Sequence, residues 1–310
     1  MNVYILIVTY NAKPWIQKCL ESALTLVKAN FILVVDNHST DDTVAWIQNN
    51  FPQINLISLT NNLGFGQANN IGMAKALELG ADAVFLMNQD VYLTANTLEA
   101  LWLQSQQHPE YGILSPMHYN GTGTALDANF SNYIVPSKCP GLYSDALVGN
   151  YQQSIYPLPF VNAAAWLVTK ACLEKVGGFN PSFFHYGEDD NYCQRVIYHG
   201  FKIGVVPNTK VLHDREQTLN HSYFKDRAIV EKRKAILHYS NPQNKSSFVQ
   251  EKKKHVKKVI KSILFLRWQQ VKRNIKHWQF LKSLPLQIVI SNRELSKQTG
   301  TSFLNFNSNK

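Results

Sequence analysis

The sequence predicts an α/β protein with a mostly parallel central sheet and helices on both faces of that sheet. Three observations lead to this prediction. Short apolar runs rich in β-branched residues alternate with segments in which apolar residues recur at helical spacing. Polar residues follow several of these apolar runs. The chain of 310 residues is long enough to bury one large core and to carry an appendage.

The first half of the chain contains four predicted strands, each an apolar run. They are Val3–Val8, Phe31–Val35, Ile54–Leu59 and Ala83–Met87. A helix with Pro14 in its first turn joins the first two strands. Ser39 with Asp42 resembles an N-cap and its reciprocal partner, and it starts a second helix. The third helix is predicted over Gln67–Leu79.

The second half of the chain is less regular. Periodicity weakens from Tyr111 to Pro159, which predicts loops and short strands that shape a substrate cleft. Regular elements resume after Pro159. We predict strands at Phe160–Val168 and Ile203–Val206, the latter ended by Pro207, and helices at Lys170–Val176 and Asp189–His199.

Polar residues that follow the first four strands should meet at one edge of the sheet. They are Tyr10, Asp36, Asn62 and Asp90. Ligands of open α/β sheets bind at the carboxyl ends of the strands. Asp36 either caps the turn after its strand or accepts hydrogen bonds from a nucleobase or ribose. The Gly64-Phe65-Gly66 turn is not the GxGxxG fingerprint of dinucleotide enzymes, which argues against a nicotinamide cofactor.

Asp90 is a lone carboxylate at the end of a buried strand, a position that is more often functional than structural. Hard divalent cations prefer oxygen ligands and keep substrate phosphates around them, so Asp90 is a predicted ligand of Mn²⁺ or Mg²⁺. His213 follows a later predicted strand. It is either the second metal ligand, since Mn²⁺ accepts mixed oxygen and nitrogen ligands, or a satisfied surface histidine.

Three consecutive carboxylates, Glu188-Asp189-Asp190, follow a glycine and lie among aromatic residues. Adjacent like charges repel, and aromatic surroundings lower the local dielectric constant. The dipole of a helix favours an acid at its N-terminus, but one acid suffices for that role. A carboxylate in an aromatic pocket has its pKa raised toward the working range of a general base. We therefore predict a general base in this acidic block.

Several stretches together resemble inverting family 2 glycosyltransferases of GT-A fold, and the chain is similar to bacterial rhamnosyltransferase-like enzymes of surface-polysaccharide assembly. The stretches are Ile7-Val8-Thr9-Tyr10-Asn11, Val34-Val35-Asp36-Asn37-His38-Ser39-Thr40-Asp41, Asn62-Leu63-Gly64-Phe65-Gly66-Gln67-Ala68-Asn69-Asn70-Ile71-Gly72, Met87-Asn88-Gln89-Asp90, and Glu188-Asp189 with Arg195 downstream. They cover roughly residues 3–215, and their order and spacing are more specific than any one of them.

The resemblance implies a GT-A nucleotide-sugar-binding fold and a role for each matching residue. The implied donor-binding residues are Thr9, Tyr10, Asn11, Asp36, Asn62, Gly64, Phe65, Asn69, Asn88 and Asp90. It further implies Asp189 as the base, Asp90 and His213 as metal ligands, and Asn162 and Trp166 near the acceptor.

The sequence departs from the family pattern at two positions. Asn88 replaces the first Asp of the DxD element, so this position adds no charge at the metal. Asn191 stands where many relatives have a further Asp, with Asp190 beside it. The choice of base among Glu188, Asp189 and Asp190 therefore stays open.

The positive charge of the chain belongs to its C-terminal part. Residues 1–240 carry 16 basic and 19 acidic side chains, a net charge of −3, whereas residues 241–310 carry 15 basic and 2 acidic ones, a net charge of +13. We therefore predict a GT-A domain over 1–240 and a basic amphipathic helical tail over 241–310, with a disordered end at Thr299–Lys310.

Apolar residues recur every three to four positions along the tail. They are Val256, Ile260, Leu264, Trp268, Val271, Ile275 and Trp278. A basic amphipathic helix of this kind suits an anionic membrane surface, here through residues 252–282. The alternative is a helix packed on the catalytic domain with its lysine face in solvent. No nucleic-acid recognition motif is evident, so no nucleic-acid partner is expected.

The predicted function is metal-dependent transfer of a sugar from a UDP- or dTDP-linked donor to a hydroxyl of a glycan or lipid-linked acceptor, in O-antigen or capsule-type polysaccharide synthesis. One alternative is a sugar-1-phosphate nucleotidyltransferase, but Thr9-Tyr10-Asn11-Ala12-Lys13 matches poorly the Gly-rich phosphate loop that such enzymes need. A second is a non-enzymatic basic-tail binding protein, which leaves Asp90 and the acidic block unexplained.

The expected location is the cytoplasm, peripheral on the inner face of the plasma membrane. The segment Met1–Thr9 lacks the features of a signal peptide, and no run approaches the roughly 18 apolar residues that cross a bilayer. The four scattered cysteines predict free thiols in a reducing compartment.

Overall fold

Residues 2–215, 226–245 and 247–304 are described in the computed structural model. The strands are β1 (Val3–Thr9), β2 (Ile32–Asp36), β3 (Asn55–Ser58), β4 (Ala83–Asn88), β5 (Val91–Leu93), β6 (Tyr111–Asn120), β7 (Tyr156–Pro157), β8 (Ala165–Thr169) and β9 (Lys202–His213). The helices are α1 (Ile16–Leu24), α2 (Thr43–Asn50), α3 (Phe65–Glu78), α4 (Thr97–Gln107), α5 (Leu142–Val148), α6 (Lys170–Val176), α7 (Glu188–Tyr198), α8 (Arg227–Ser240), α9 (Phe248–Leu264), α10 (Trp268–Ser283) and α11 (Leu286–Ser296).

The strands form one mixed sheet in the order β3-β2-β1-β4-β8-β6-β9-β5, with β7 on β9. The strands β3, β2, β1 and β4 are mutually parallel, as predicted, and β6 is parallel to β9. Strand β8 runs antiparallel between β4 and β6. Because β1 lies between β2 and β4, the chain segments that leave these three strands meet at one edge of the sheet.

The hydrophobic core lies on both faces of the sheet. On one face, buried residues of α1, α2 and α4 pack against the strands; on the other, buried residues of α3, α6 and α7 do. All four cysteines are buried and free, as the sequence predicted. The α/β prediction is therefore confirmed, and the first four strands agree with it to within one or two residues.

Two predictions around proline residues were wrong. The stretch predicted as loops and short strands contains the long strand β6, ten residues with Pro116 inside it, and β9 continues past Pro207 to His213. The register explains both, because Pro116 pairs with Val206 whereas the next residue of β6 pairs with Lys210. Residues 207–209 therefore bulge out of the ladder, and a bulge tolerates proline within a strand.

Three smaller predictions also need correction. The strand predicted over Phe160–Val168 is the shorter β8, because the residues before Ala165 form no ladder. Ser39 does not cap α2, whose N-cap position is Asp42 without a side-chain cap bond. The predicted disordered end is ordered at its start, because Leu304 is buried and Gly178 donates to the Ser302 carbonyl at 2.7 Å. Residues 305–310 lie outside the described residues.

The basic tail is helical but is not one helix. Helices α9 and α10 turn back on each other at residues 265–267, where Leu266 adopts a left-handed φ of +53°. Helix α11 returns to the rest of the protein, since it packs against α8 and Asn292 donates to Ser182 at 3.0 Å. Within the described part of the chain, no helix combines the length and the hydropathy of a membrane-spanning segment.

Arg195 is a fully buried cation that supports the wall behind the acidic block. Its guanidinium donates to the carbonyls of Val176 and Gly178, at the end of α6, and lies over the rings of Tyr192 and Phe303. The last carbonyls of a helix lack partners within that helix, so a buried helix end needs an outside donor. Arg195 supplies that donor here.

We expect Arg195→Met to lower the free energy of unfolding by about 3 kcal/mol, because the buried carbonyls of Val176 and Gly178 lose their donor. Urea denaturation followed by circular dichroism measures this change. The matched control is Arg227→Met at an exposed position of α8, which should leave stability unchanged. Equal unfolding curves for both variants and the wild type would contradict the role given to Arg195.

Candidate active site

The turn after β2 is organised by the Asp36 carboxylate. Thr9 donates its hydroxyl to Asp36 Oδ1 at 2.9 Å, and the backbone N–H of Ser39 donates to Oδ2 at 2.9 Å. The Ser39 hydroxyl also donates to Oδ1. Asp36 therefore does hold its turn, which was one of the two alternatives. Contact with a nucleobase or ribose stays a prediction.

The end of β1 is fixed to its neighbours by side-chain amides. The N–H of Tyr10 donates to Gln89 Oε1 at 2.8 Å, and Gln89 Nε2 donates back to the Tyr10 carbonyl at 3.2 Å. Asn11, in a left-handed conformation, accepts at Oδ1 from the Thr40 N–H at 2.8 Å. The Tyr10 ring remains exposed. Its backbone is therefore held while its ring is available to a ligand.

Asn62 and Gly64 form a tight turn before α3. Asn62 Oδ1 accepts from Asn37 Nδ2 and from the Gly64 N–H, both at 2.9 Å. Gly64 has a φ of +80°, and a Cβ there would lie 2.0 Å from the Phe184 carbonyl oxygen. Only glycine fits this position. The turn therefore lies directly against the segment that leads into the acidic block.

The first turn of α3 packs on the same segment. The rings of Phe65 and Phe179 meet edge to face, with centroids 5.9 Å apart. A Cβ on Gly66 would lie 2.9 Å from Phe179 Cβ and 3.5 Å from Glu188 Cβ. Asn69 is buried and donates its Nδ2 to the Phe65 carbonyl at 2.9 Å. Asn69 therefore stabilises the start of α3, and its expected contact with a donor stays a prediction.

Asp90 and His213 meet where β5 pairs with β9. The Asp90 carbonyl accepts from the Asp214 N–H at 2.8 Å, and His213 Nε2 lies 3.4 Å from Asp90 Oδ1. His213 is buried, whereas the Asp90 side chain is partly exposed. The structure thus brings the two predicted metal ligands together. His213 is not the surface histidine of the alternative interpretation.

A second carboxylate stands behind His213. Asp127, which is fully buried, lies with Oδ2 3.7 Å from His213 Nδ1. Arg215 donates through Nε to Asp127 Oδ2 at 2.8 Å and through a second nitrogen to Oδ1. The pKa of Asp127 falls to about 2, because the hydrogen bonds and charge of Arg215 and the Phe130 N–H outweigh the opposing effect of burial. Asp127 is therefore an anion beside the Nδ1 side of the His213 ring.

His118 closes the inner side of this cluster. It is buried, stacks on Phe130 at 4.6 Å between ring centroids, and shares a hydrogen bond of 3.1 Å with Ser115 Oγ. Burial, with a smaller contribution from His213, lowers the pKa of His118 to about 3. The ring is neutral at physiological pH and adds no positive charge beside His213.

The Asp90–His213 pair can hold a divalent cation only together with further ligands. Among the described residues, no group of three His, Cys, Asp or Glu side chains is placed to hold an ion alone. The pair offers one carboxylate oxygen and one imidazole nitrogen on the same side, so it fits Mn²⁺ or Mg²⁺ if a ligand such as a diphosphate supplies further oxygens. Asn88 Oδ1, buried and without a hydrogen-bond partner among the described residues, is a further uncharged oxygen near this strand end.

Glu188 is the most enclosed of the three acids. It is 4% exposed, and its Oε2 has no hydrogen-bond partner in the described part of the chain. Burial first, and then the negative charge of Asp189, raises the pKa of Glu188 to about 8. Glu188 is therefore largely protonated at neutral pH, which does not suit a general base.

Asp189 and Asp190 differ in their surroundings. Burial raises the pKa of Asp189, while backbone N–H groups, including that of Ala163, act in the opposite direction. Burial and the charge of Asp189 raise the pKa of Asp190 to about 7, and Arg233 on α8 partly opposes this. Asp190 faces a cavity of about 270 Å³. Its other lining residues are Pro159, Phe160, Gln194, Ile197, Asn241 and Gln243.

One short segment connects the acidic block with the metal-ligand pair. The Ala164 carbonyl accepts from the Asn88 N–H at 3.0 Å, two residues before Asp90. The preceding N–H, of Ala163, interacts with the Asp189 carboxylate. The pKa of Tyr133 is raised first by burial and then by Asp189, and it is lowered by Arg215. The Tyr133 hydroxyl therefore lies within electrostatic reach of Asp189 and of Arg215, which binds the Asp127 carboxylate behind His213.

The two expected acceptor residues lie differently. Asn162 is half-buried, and its Oδ1 has no hydrogen-bond partner among the described residues. Trp166 is fully buried between Phe179 and Tyr192, with ring centroids 6.2 Å and 6.0 Å away. The indole belongs to the core, and the expected place of Trp166 near an acceptor stays a prediction.

Sequence reasoning missed Asp127, Arg215 and His118. Asp127 lies in the stretch read as irregular loops, and Arg215 follows a strand that was predicted to end at Val206. None of the three belongs to a recognisable motif. The one signal in the sequence was that Arg215 lies two residues after the expected ligand His213. That signal could have drawn attention to Arg215 but not to Asp127.

The family model described as Glycosyl transferase family 2 matches residues 4–175. A second model, described as the N-terminal domain of galactosyltransferase, matches residues 159–221. Among curated relatives, an N-acetylglucosaminyl-diphospho-decaprenol L-rhamnosyltransferase of Mycobacterium tuberculosis is 26% identical over 67% of this chain and 74% of its own. A dTDP-rhamnosyl transferase RfbF of Shigella flexneri is 26% identical over 68% of this chain and 69% of its own.

Solved structures share the fold at low sequence identity. S. aureus TarS 1-349 in complex with UDP-GlcNAc has a TM-score of 0.51 at 14% identity, covering 96% of this chain and 89% of that one. The mannosyltransferase PcManGT from Pyrobaculum calidifontis in complex with GDP-Man and Mn²⁺ has a TM-score of 0.52 at 16% identity, covering 95% and 73%. These likenesses support the expected GT-A fold.

We expect Glu188→Gln to stabilise the protein at alkaline pH. The pKa of Glu188 is about 8 in the folded state and 4.5 for the free side chain, so the folded form loses stability as the pH rises toward 8. The variant lacks this loss. Its melting temperature should exceed that of the wild type by about 5 °C near pH 8.5 and differ little near pH 4.5.

Thermal unfolding across this pH range is the measurement. Glu174→Gln, at an exposed position of α6, is the control and should follow the wild type at each pH. A Glu188→Gln difference that does not vary with pH would show that the carboxyl of Glu188 does not titrate as described.

Proposed function

The chain belongs to glycosyl transferase family 2, and we propose that it is a metal-dependent, inverting enzyme that transfers a rhamnosyl or hexosyl group from a UDP- or dTDP-linked donor. The acceptor is a hydroxyl of a glycan or of a lipid-linked sugar. The names of the relatives support this reading, since two of them are rhamnosyltransferases.

The observation that carries the proposal is the connection of two groups through one short segment. Asp90 and His213 lie 3.4 Å apart, and the Ala163–Ala164 segment contacts both the strand that leads to Asp90 and the Asp189 carboxylate. Inverting transfer needs a base on one side of the anomeric carbon and charge stabilisation for the leaving diphosphate on the other. The acidic block and the Asp90–His213 pair supply these two kinds of group.

Asp90 and His213 are the residues that would hold the cation, with Mn²⁺ or Mg²⁺ as the candidate ions. The cation, when bound, offsets negative charge on the departing diphosphate. Asp127 lies behind His213, with Oδ2 3.7 Å from Nδ1, and Arg215 keeps Asp127 in place. Asn88, in place of a second carboxylate, keeps the local negative charge low, so donor oxygens are required to complete the ligand set.

Asp189 is the favoured general base. Glu188 is enclosed and protonated at neutral pH, and Asp190 faces the cavity beside Arg233. Asp189 is half-buried and next to the segment that leads to Asp90. It accepts the proton of the attacking hydroxyl. The neutral Glu188 limits the repulsion that a second charge beside it would create.

The donor would lie across the ends of β1, β2 and β4. In this proposal the exposed Tyr10 ring stacks on the base, and Asn11, Asp36 and Asn62 bind the ribose side of the donor. The Gly64 turn touches the segment before the acidic block, so that donor and base are positioned by the same contact.

We further propose a role in O-antigen or capsule-type polysaccharide synthesis, peripheral on the inner face of the plasma membrane. One relative is named as an N-acetylglucosaminyl-diphospho-decaprenol L-rhamnosyltransferase. The tail of this chain carries no acid between Lys252 and Lys282, and such a basic segment suits an anionic membrane surface.

We expect Asp90→Ala and Asp189→Asn each to reduce sugar transfer by at least ~100-fold, because one loses a cation ligand and the other the base. The measurement is release of UDP or dTDP from a panel of nucleotide sugars with Mn²⁺ and a lipid-linked acceptor extract. Only Asp90→Ala should also abolish the Mn²⁺-dependent rise in melting temperature caused by nucleotide.

Glu99→Gln, at an exposed position of α4, is the control and should retain wild-type turnover. Turnover of either active-site variant at the wild-type rate would remove that residue from its proposed role. Activity of the wild type without any divalent cation would remove the cation from the proposal.

A further inference from the structure

The turn between α9 and α10 exposes a cluster of large apolar side chains. We name residues 263–268 the hairpin tip. Its exposed apolar residues are Ile263, Leu264, Phe265, Leu266 and Trp268, with Leu264 at 74% and Leu266 at 72% of full exposure. Such a contiguous patch on a protein surface is typical of an interaction site.

The apolar surface continues from the tip along both helices. Val256 and Ile260 on α9 and Ile275 on α10 are also exposed. The two helices contact each other partly through polar groups instead, since His255 bonds to the Asn274 carbonyl at 2.7 Å and Asn274 donates to Ser262 at 3.1 Å. The apolar side chains of Val256, Ile260 and Ile275 are therefore not buried between the two helices of the hairpin.

The hairpin holds a large share of the exposed apolar side chains. Of the twenty large ones in the described residues, eight lie between Val256 and Ile275. The remaining twelve are spread over the rest of the described chain. The concentration at one projecting turn argues for a specific apolar partner.

Charge decides which partner fits. Eleven basic side chains and no acidic one lie from Lys252 to Lys282. A second copy of this chain docked tip to tip would bring two such clusters together, and their repulsion opposes that contact. An anionic lipid bilayer offers an apolar interior for the tip and negative headgroups for the flanking lysines.

We propose that the hairpin tip inserts into the interfacial layer of an anionic bilayer. Leu264, Phe265 and Leu266 enter the acyl boundary, and Trp268 lies at headgroup level. Lysines of α9 and α10 contact the lipid phosphates. The hairpin therefore inserts into the bilayer through its turn. This differs from a single amphipathic helix that lies flat on the membrane along its apolar face. This inference rests on the membrane association proposed above and is independent of the sugar-transfer chemistry.

The test uses the full chain with vesicles of phosphatidylcholine containing phosphatidylglycerol, and with pure phosphatidylcholine vesicles. The tip variant is Leu264→Ser with Phe265→Ser and Leu266→Ser. Its control is Leu147→Ser with Val148→Ser, two exposed apolar side chains of α5. All five substituted side chains are exposed, so the fold should tolerate the substitutions. Circular dichroism checks that each variant is folded. Sedimentation with vesicles and the emission maximum of Trp268, obtained by difference from Trp268→Phe, are measured.

We expect wild type and control to bind the anionic vesicles, with a blue shift of the Trp268 emission, and the tip variant to partition ~10-fold less. Equal binding of the tip variant would overturn insertion and leave attraction by charge alone. Absence of wild-type binding would overturn membrane association itself. If the wild type is a dimer and the tip variant is a monomer, the partner of the hairpin tip is a second copy of this chain and not a bilayer. Release of UDP or dTDP from nucleotide sugars, measured in parallel without vesicles, separates these outcomes from failure of the proposed chemistry.

Discussion

The site depends on a chain of contacts that runs from Asp90 through His213 and Asp127 to Arg215. His213 lies between two carboxylates, 3.4 Å from one and 3.7 Å from the other, and Arg215 neutralises the inner one. A buried histidine between two carboxylates is restricted in its orientation, and Asp90 is the partly exposed one of the two. This contact exists because β9 bulges at residues 207–209 and then continues beside β5.

The acidic block imposes the opposite constraint, since it places three like charges in low-dielectric surroundings. The structure limits the cost by raising the pKa of each, so that they are not all ionised together at neutral pH. The block also begins α7, where the helix dipole favours negative charge. Behind it, Arg195 holds the end of α6 and lies over the Phe303 ring, so the wall of the cleft is rigid where the repulsion is strongest.

Much of this architecture is readable from the sequence, and the reasons for the failures are physical. The strands that end at Thr9, Asp36 and Asn88 are buried on both faces, so continuous apolar runs identify them. Pro116 and Pro207 misled the assignment of β6 and β9 because a bulge, set by the partner strand, absorbs them. The turn at Leu266 contains neither glycine nor proline, so the sequence did not indicate it. Asp127 was not foreseeable, because its role comes from a contact with residues more than eighty positions away.

The C-terminal segment Ser302–Leu304 packs against the α/β domain. Its residues cover Gly177 and Gly178 and place Leu304 in the core cluster that also contains Tyr192 of α7. A Cβ on Gly177 would lie 2.1 Å from the Ser302 carbonyl oxygen, so a side chain at this position would displace the segment. Because α8 and α11 pack against each other, the hairpin of α9 and α10 is anchored at both of its ends and is not carried on a single free linker.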